Sequence, residues 1–547
     1  MKPKKLFYIL LIAWVFVDLL QAIFTPIHAD EAYYALYGQF IDWGYYDHPP
    51  MVAFLTFFSS LLFKGNLSIR FATVLLHGAT VGLVWGVLPK EKWNNRAILD
   101  FFIIAFSLFM FSAYGVMTAP DAPLLFFVAL FFYLYKRYLT ENSWINALLM
   151  GVALAGMLYS KYMAVLLVAI VVLSNLKLLK DAKIWLAGLL ALLLFLPHVF
   201  WQFQNDFPSF KYHLIERNSH FKIAYFLEYL PNQLLVFNPI ALLLALWICW
   251  KRRLTKDLFE RACIFTVVGF VFFFWIMTFK GHAEPHWTVT ASIPMIFLLF
   301  QYTRDEQKNK WIPYVFLPLA ILVLAIRIIL PVLTAGDGLV VNDRKRMNDI
   351  HQYCGDVPVV FASSFQDPSL YRFYTGENAV PLSSLYGRQT QYDLLKMDMD
   401  LQGQQVYVIG PILDKLQIPN TQNVFNGDWQ FYCKKYEHFQ GANRMEIVVD
   451  KYRVVGDTLF LSLTLHNPYD LPFDFNHPEF VTTLHVAYKM EEYFPITCPI
   501  PENVVIPAGG NAKFETYATF YPNVPFVVCI DNEVCRSVNS KPMVIKQ

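Results

Sequence analysis

Residues 28–50 read His28-Ala29-Asp30-Glu31-Ala32-Tyr33-Tyr34 and, from 42 onward, Asp42-Trp43-Gly44-Tyr45-Tyr46-Asp47-His48-Pro49-Pro50. Acids, imidazoles and aromatic rings stand here between two apolar runs, 6–24 before them and Met51–Phe63 after them. Lys2, Lys4 and Lys5 precede the first run, which is too long for a signal-peptide core and is followed by no small-x-small cleavage site, so a retained anchor is expected. Met51–Phe63 is short of the roughly 20 apolar residues that a bilayer core requires, and it reads as a helix lying at the interface. The local pattern has a plain structural reading too. Asp30 and Glu31 would favour the positive end of a helix, and Pro49-Pro50 would end a segment.

Moving outward, the same alternation continues. Of 547 residues, 56% are hydrophobic and only 16% charged, against about 25% charged in soluble domains. The mean hydropathy is +0.39. Apolar residues crowd into 1–335, which sets the chain apart from an ordinary cytosolic enzyme, and the remainder resembles water-soluble sequence. A net charge of +2 gives no case for a nucleic-acid partner. Apolar runs lie near 6–24, 68–88, 97–115, 121–137, 143–159, 162–178, 183–200, 231–250, 262–279, 287–302 and 311–333, about eleven spans. Lys90/Lys92/Arg96, Lys136/Arg137, Lys177/Lys180/Lys183, Lys251/Arg252/Arg253/Lys256 and Arg304/Lys308/Lys310 join the N-terminal lysines on alternate loops, which are therefore expected to be cytoplasmic. The first loop, Met117–Asp121, Ser160–Tyr162, Trp201–Leu230, Lys280–Trp287 and the tail are then on the opposite side. Those loops hold the acids, imidazoles, lone cations and rings. Mid-span, the ionisable residues are Asp18, His77 and Arg327, and Asp18 and Arg327 are expected to satisfy each other or a backbone carbonyl.

The first loop resembles that of the GT-C glycosyltransferases, specifically the bacterial branch of the protein O-mannosyltransferase-like family, which also contains the lipid A aminoarabinose transferases. Further pieces fit in order and sidedness: Met117-Thr118-Ala119-Pro120-Asp121-Ala122-Pro123, Ser160-Lys161-Tyr162 and Glu284-Pro285-His286-Trp287. In the tail, Leu370–Gly376 and Gly387–Asp393 also match. The resemblance implies a multi-pass protein of the bacterial inner membrane. Its sugar would pass from a polyprenyl-phosphate carrier to an extracytoplasmic lipid, glycan or protein acceptor, with inversion at the anomeric carbon. It implies a general base or acceptor-orienting role for Asp30 in the Asp30-Glu31 motif, and places Asp121 in the active site. An N-cap is the alternative for Asp121.

A departing phosphate needs positive charge. Lys161, Arg217, Arg70 and His48 are the candidates, although His48 is not a permanent cation near neutral pH and Lys161 would also suit a snorkelling anchor. Here the chain departs from the aminoarabinose branch, having Asp47-His48 where that branch has an acid followed by Lys. A divalent metal is a second possibility, with Asp47, His48, Glu284 and His286 as ligand types. His282 and His286 have the spacing of a zinc-protease helix, but Pro285 argues against a continuous helix through both. Trp43, Tyr45, Tyr46 and Trp287 are the rings placed to stack on a sugar or isoprenoid. A lipid-glycan transporter is the competing reading, and it would put ionisable groups along the midplane.

In the tail, 340–440 reads as a small α/β domain and 445–547 as a β-sandwich, with Thr458–Leu465 alternating strictly. Tail cysteines Cys354, Cys433, Cys498, Cys529 and Cys535 are odd in number, with Cys529–Cys535 the shortest closure. No Gly-rich phosphate loop or dinucleotide fingerprint is present, which fits a lipid-linked donor better than a nucleotide-fuelled one.

Overall fold

The computed structural model describes residues 2–88, 94–216, 221–305, 311–335, 343–382, 387–426, 429–490 and 492–546. Lys90, Lys92, Arg217, His220, Lys308 and Lys310 lie outside these residues. The chain clusters into two compact units, Met1–Asn342 and Asp343–Gln547.

The first unit is helical. Its first half contains α1 (Pro3–Phe24), α2 (Ala29–Gln39), α3 (Met51–Leu62), α4 (Leu67–Val87), α5 (Asn95–Phe106), α6 (Phe109–Ala113), α7 (Asp121–Glu141) and α8 (Trp144–Ser160). Its second half contains α9 (Ala164–Ser174), α10 (Ala182–Gln204), α11 (Pro208–Lys211), α12 (Ile223–Phe237), α13 (Pro239–Lys251), α14 (Leu258–Met277), α15 (Ser292–Asp305) and α16 (Ile312–Ala335).

Every one of the eleven apolar runs forms helix, but the count of eleven crossings does not follow. Among the described residues, α1, α4, α7, α10, α14 and Pro313–Thr334 of α16 are long and apolar enough to cross a membrane. A seventh is added if α12 and α13, bent by 102°, are one broken span. The rest are interrupted. Ser107 and Leu108 separate α5 from α6, and the run through 162–178 gives α9 and then a 3-10 turn, Leu176–Lys180. Trp287 belongs to a 3-10 turn, Pro285–Ala291, that leads into α15. Several apolar helices here are thus too short to span alone. The chain is a multi-pass membrane protein.

Inside this bundle the expected Asp18–Arg327 pairing is present. Arg327 donates Nη1 to Asp18 and Nη2 to the Ser112 carbonyl. His77 Nδ1 lies 2.8 Å from the other Asp18 oxygen, and all three side chains are buried. Gly115 makes room for this cluster, since a Cβ there would stand 2.3 Å from the His77 ring.

The second unit begins with α17 (Asp343–Cys354), followed by β1 (Val359–Phe361), α18 (Gln366–Thr375), β2 (Ala379–Pro381), α19 (Gln391–Leu394), β3 (Val406–Ile409), α20 (Ile412–Lys415), β4 (Gln422–Asn426) and β5 (Trp429–Tyr436). These strands form one sheet in the order β2-β1-β3-β5-β4. β1 is parallel to β2 and β3, while β5 is antiparallel to β3 and β4.

The remaining strands are β6 (Glu446–Val455), β7 (Thr458–His466), β8 (Phe473–Asp474), β9 (Thr483–Lys489), β10 (Tyr493–Cys498), β11 (Val505–Ile506), β12 (Asn511–Thr519), β13 (Phe526–Asp531) and β14 (Arg536–Val538). They make a four-stranded sheet, β10-β9-β13-β14, a three-stranded sheet, β12-β7-β6, and a β11-β8 pair. The alternation in β7 turns Leu459, Leu461, Leu463 and Leu465 inward, against Leu484, Val486, Phe526, Val528 and Ile530. All seven cysteines are free thiols. Cys529 and Cys535 do not pair; their sulfurs face the His485 carbonyl and Asn443 instead.

Candidate active site

The helix start at residue 29 is set by side chains on either side of it. His28 caps α2 by accepting the Asp30 N–H on Nδ1 at 3.2 Å, and Glu31 accepts the His28 N–H at 3.1 Å. Glu31 is fully buried. Its Oε1 accepts Arg70 Nε at 2.8 Å and the Thr118 N–H at 2.9 Å, and its Oε2 also accepts Arg70 Nη2 at 2.5 Å. Arg70 completes its set on Thr25 O (2.9 Å), Thr25 Oγ1 (2.8 Å) and Pro26 O (2.8 Å). The five guanidinium N–H groups are thereby all engaged. This corrects two expectations. Arg70 has no donor left for a phosphate, and Glu31 has no oxygen left for a reacting group. Together they lock the start of α2 to α4 and to the loop before α7.

The following loop is braced by its own rings. Tyr45 is fully buried and stacked on Tyr37 at 4.1 Å and 3°. Its hydroxyl lies 3.0 Å from the Tyr37 and Phe40 carbonyls and accepts the Asp42 N–H at 3.1 Å. Tyr45 is therefore a brace and not the stacking platform expected for a ligand. Tyr46 is buried as well, with its ring 5.8 Å from Tyr212. Trp43 is half exposed, beside Phe54 and Tyr159, and Trp287 packs 5.4 Å from Phe274. Tyr37 donates its hydroxyl to Asp47. Burial pushes the His48 imidazole down to about 3, overriding the upward pull of Asp47. His48 is thus a neutral ring at physiological pH, and its expected part as a phosphate-binding cation is corrected.

Asp121 opens α7 but does not cap it, since Pro120 holds the cap position. Its carboxylate instead takes Lys161 Nζ on both oxygens, at 2.8 and 2.7 Å. His286 Nε2 lies 3.9 Å away. Lys161 follows the last turn of α8 with a buried side chain, so it points into this cluster and is no snorkelling anchor. Glu284 is turned toward His282 at 3.5 Å. The expected metal set of Asp47, His48, Glu284 and His286 is therefore not assembled. Among the described residues, the only three such side chains with ligating atoms within 4.8 Å of one another are His351, Asp356 and Glu377 in the tail. Arg217 lies outside the described residues.

Residues 30, 34, 47, 48, 121, 161, 213 and 286 form one group of electrostatically interacting side chains. Burial, then the charges of Asp47, Asp30 and Asp121, raise the Tyr34 phenol well above its ordinary range. Tyr34 is thus the common neighbour of three acids. His213 sits beside His48 and its Nε2 lies 2.9 Å from the Asp47 carbonyl. Both residues lie in stretches that the sequence marks out, but neither was given a role: Tyr34 has an equally aromatic neighbour in Tyr33, and His213 comes from a loop far along the chain. A third missed feature fastens the loop from outside. His198 Nδ1 donates to the Trp43 carbonyl at 2.7 Å, and Gln202 reaches the Tyr45 carbonyl through Ser209. Asp30 differs from the other acids. Its side chain is 38% exposed, against 0% for Glu31 and 4% for Asp121, and its carboxylate lies 3.8 Å from His28 Nδ1, the nitrogen that accepts the Asp30 N–H.

Comparison with known proteins fits this geometry. Residues 47–201 match the family described as dolichyl-phosphate-mannose-protein mannosyltransferase. Over 288 residues the chain is 26% identical to the lipid A galacturonosyltransferase RgtD of Rhizobium johnstonii, which is 49% of this chain and 59% of that protein. The chain thus spans under two thirds of this relative's length. The crystal structure of ArnT from Cupriavidus metallidurans in the apo state superposes with a TM-score of 0.59 at 14% identity, covering 78% of this chain and 97% of ArnT. The same ArnT bound to undecaprenyl phosphate also gives 0.59, at 13% identity. The match to the dolichyl-phosphate-mannose-protein mannosyltransferase family falls within the membrane unit, and the chain has the fold of ArnT.

Proposed function

We propose that the protein is an inverting glycosyltransferase that moves a sugar from a polyprenyl-phosphate carrier to an extracytoplasmic acceptor. One observation carries the reading. Among the described residues, and of Asp30, Glu31, Asp47 and Asp121, only Asp30 combines exposure with the absence of a strong cationic partner, which suits a group that must take a proton from an incoming hydroxyl. The acceptor O–H proton goes to Asp30 as its oxygen bonds to the anomeric carbon. The bond from that carbon to the phosphate oxygen breaks, and the polyprenyl phosphate leaves with the electron pair. Lys161 supplies the positive charge for that phosphate while Asp121, itself beside His286, holds the ammonium in place. Undecaprenyl phosphate, the lipid bound to ArnT, is the carrier that we expect. A lipid acceptor is favoured over a protein one by the lipid A transferase among the relatives.

The site and tail are proposed to face the periplasmic side of a bacterial inner membrane, in keeping with the alternation of basic loops. The transporter reading loses support, because Asp18 binds both His77 and Arg327 within the bundle. Asp30→Asn should lower transfer by about 10²–10⁴-fold, the usual contribution of general base catalysis, with an unchanged melting temperature. Turnover near that of the parent would remove Asp30 from this role. Mass spectrometry of lipid A, surface glycan and glycoproteins from a deletion strain would identify the acceptor.

A further inference from the structure

The second unit contains a crevice that the proposed chemistry does not use. The chain runs from β1 through α18 to β2 on one side, then returns to place β3 on the other side of β1. Between the carboxyl ends of β1 and β3 the topology switches direction, which is where open parallel sheets form ligand crevices. Ala362-Ser363-Ser364 leaves β1 and Gly410-Pro411 leaves β3 at this point. A Cβ on Gly410 would stand 3.0 Å from the Ala362 side chain, so the two strand ends meet closely. The β13–β14 hairpin closes the far wall, and the cavity measures about 790 Å³, within the range of about 300–1,000 Å³ typical of ligand sites.

Its walls are held in place. Lys434 of β5 pairs with Glu533 at 2.7 Å, both side chains nearly buried, and Asn532 donates to the Gln440 carbonyl at 2.8 Å. The lining distinguishes between ligand classes. A nucleotide needs a glycine-rich turn after β1 and a helix start open to phosphate. Here the turn is Ala362-Ser363-Ser364-Phe365 and the first turn of α18 carries Asp367. Cations and acids are balanced: Arg388, Lys415 and Arg536 face Glu492, Asp531 and Glu533. Arg536 is already held by Asp531 at 2.8 and 2.6 Å. The polar lining thus presents both donors and acceptors with little net charge. Aromatic rings accompany it, Phe365 under the Arg388 guanidinium at 4.7 Å and Tyr493 among the lining residues. Hydroxyl-rich rings fit such a surface, because each sugar hydroxyl both donates and accepts while the ring face is apolar.

We propose that this crevice binds a short oligosaccharide, which under the glycosyltransferase reading is the glycan part of the acceptor. The test uses the full-length chain in detergent and a panel of defined di- to tetrasaccharides from bacterial surface glycans, read by saturation-transfer NMR without donor lipid. At least one oligosaccharide should bind, and Arg388→Ala and Tyr493→Ala should each weaken it by about tenfold with unchanged thermal unfolding. Asp30→Asn should bind it as the parent does, so failure of the catalytic assignment and failure of this site remain distinguishable. Absence of binding across the panel, or binding that both substitutions leave intact, overturns the proposal.

Discussion

Glu31 receives four donors, two from Arg70 and one each from the His28 and Thr118 backbones. Removing one partner of such a buried pair costs about 3–5 kcal/mol, because the other charge remains out of water. Glu31→Gln and Arg70→Met should therefore each lower the melting temperature of the detergent-solubilised protein, and lower transfer through misplacement of Asp30. A variant with full stability would show that this lock is dispensable. Lys161→Met acts differently, taking away charge where the phosphate departs. We expect the affinity for undecaprenyl phosphate to fall by about ten- to hundredfold, in line with a charge-assisted hydrogen bond of about 1.5–3 kcal/mol, as measured by lipid binding. His48 gives a pH effect of definite sign. It is pushed to about 3 when folded, from an ordinary 6.5, so between those values the unfolded chain binds more protons and stability rises with pH. Its contribution is complete above pH about 6.5 and is lost progressively on acidification toward pH about 3. His48→Asn should flatten the acid limb of the melting-temperature profile. At this scale the sequence was a partial guide. Asp30, Asp121 and Lys161 were singled out because their residue types suit the chemistry in the resembling family, and the structure pairs the last two. Arg70 and Tyr45 were misread because what fixes them, Glu31 and the Tyr37 ring, is a matter of three-dimensional pairing that residue type does not announce.

Among the elements, hydropathy located helices better than it counted crossings. All eleven apolar runs are helical, yet apolarity says nothing about where a backbone breaks, and the clearest break is at Asn238. Its φ of 78° and ψ of 151° are unusual for a residue with a side chain. The side chain explains why it is tolerated. Asn238 Oδ1 caps α13 at the Ala241 N–H (2.7 Å), and its Nδ2 donates to the Ser107 carbonyl (2.8 Å) in the gap between α5 and α6. One side chain thus satisfies backbone groups of both interrupted runs, as a membrane interior requires. Asn238→Ala would lose both bonds and keep the strained backbone, at a cost of about 1–3 kcal/mol. Asn238→Gly would lose the same bonds but relieve the strain. Thermal unfolding should therefore rank parent, Gly variant, Ala variant in falling order, and an Ala variant at least as stable as the Gly one would contradict this account. The strand β7, by contrast, was legible from Thr458 to Leu465, because period-two alternation is itself the physical signature of a half-buried strand.

For the molecule as a whole, the compositional divide near residue 335 anticipates a physical one. Asp343–Gln547 is a compact unit with its own sheets and a core of leucine, valine and aromatic side chains. What composition does not reveal is how its two sheet systems are coupled. Lys434 and Glu533 pair across them in near-complete burial, and Arg444 holds Asp398 at 2.6 Å. Buried pairs of this kind contribute modestly to net stability but penalise separation heavily, since parting leaves charges without partners. Residues 343–547 expressed alone should accordingly be soluble and unfold in a single cooperative transition, followed by circular dichroism and by tryptophan fluorescence from Trp429, which lies in the α/β part. Glu533→Gln should lower the midpoint and split the two signals, since fluorescence reports only the α/β sheet whereas circular dichroism reports both. Coincident transitions in that variant at the parent's midpoint would mean that apolar packing alone couples the two halves and that the Lys434–Glu533 pair is incidental.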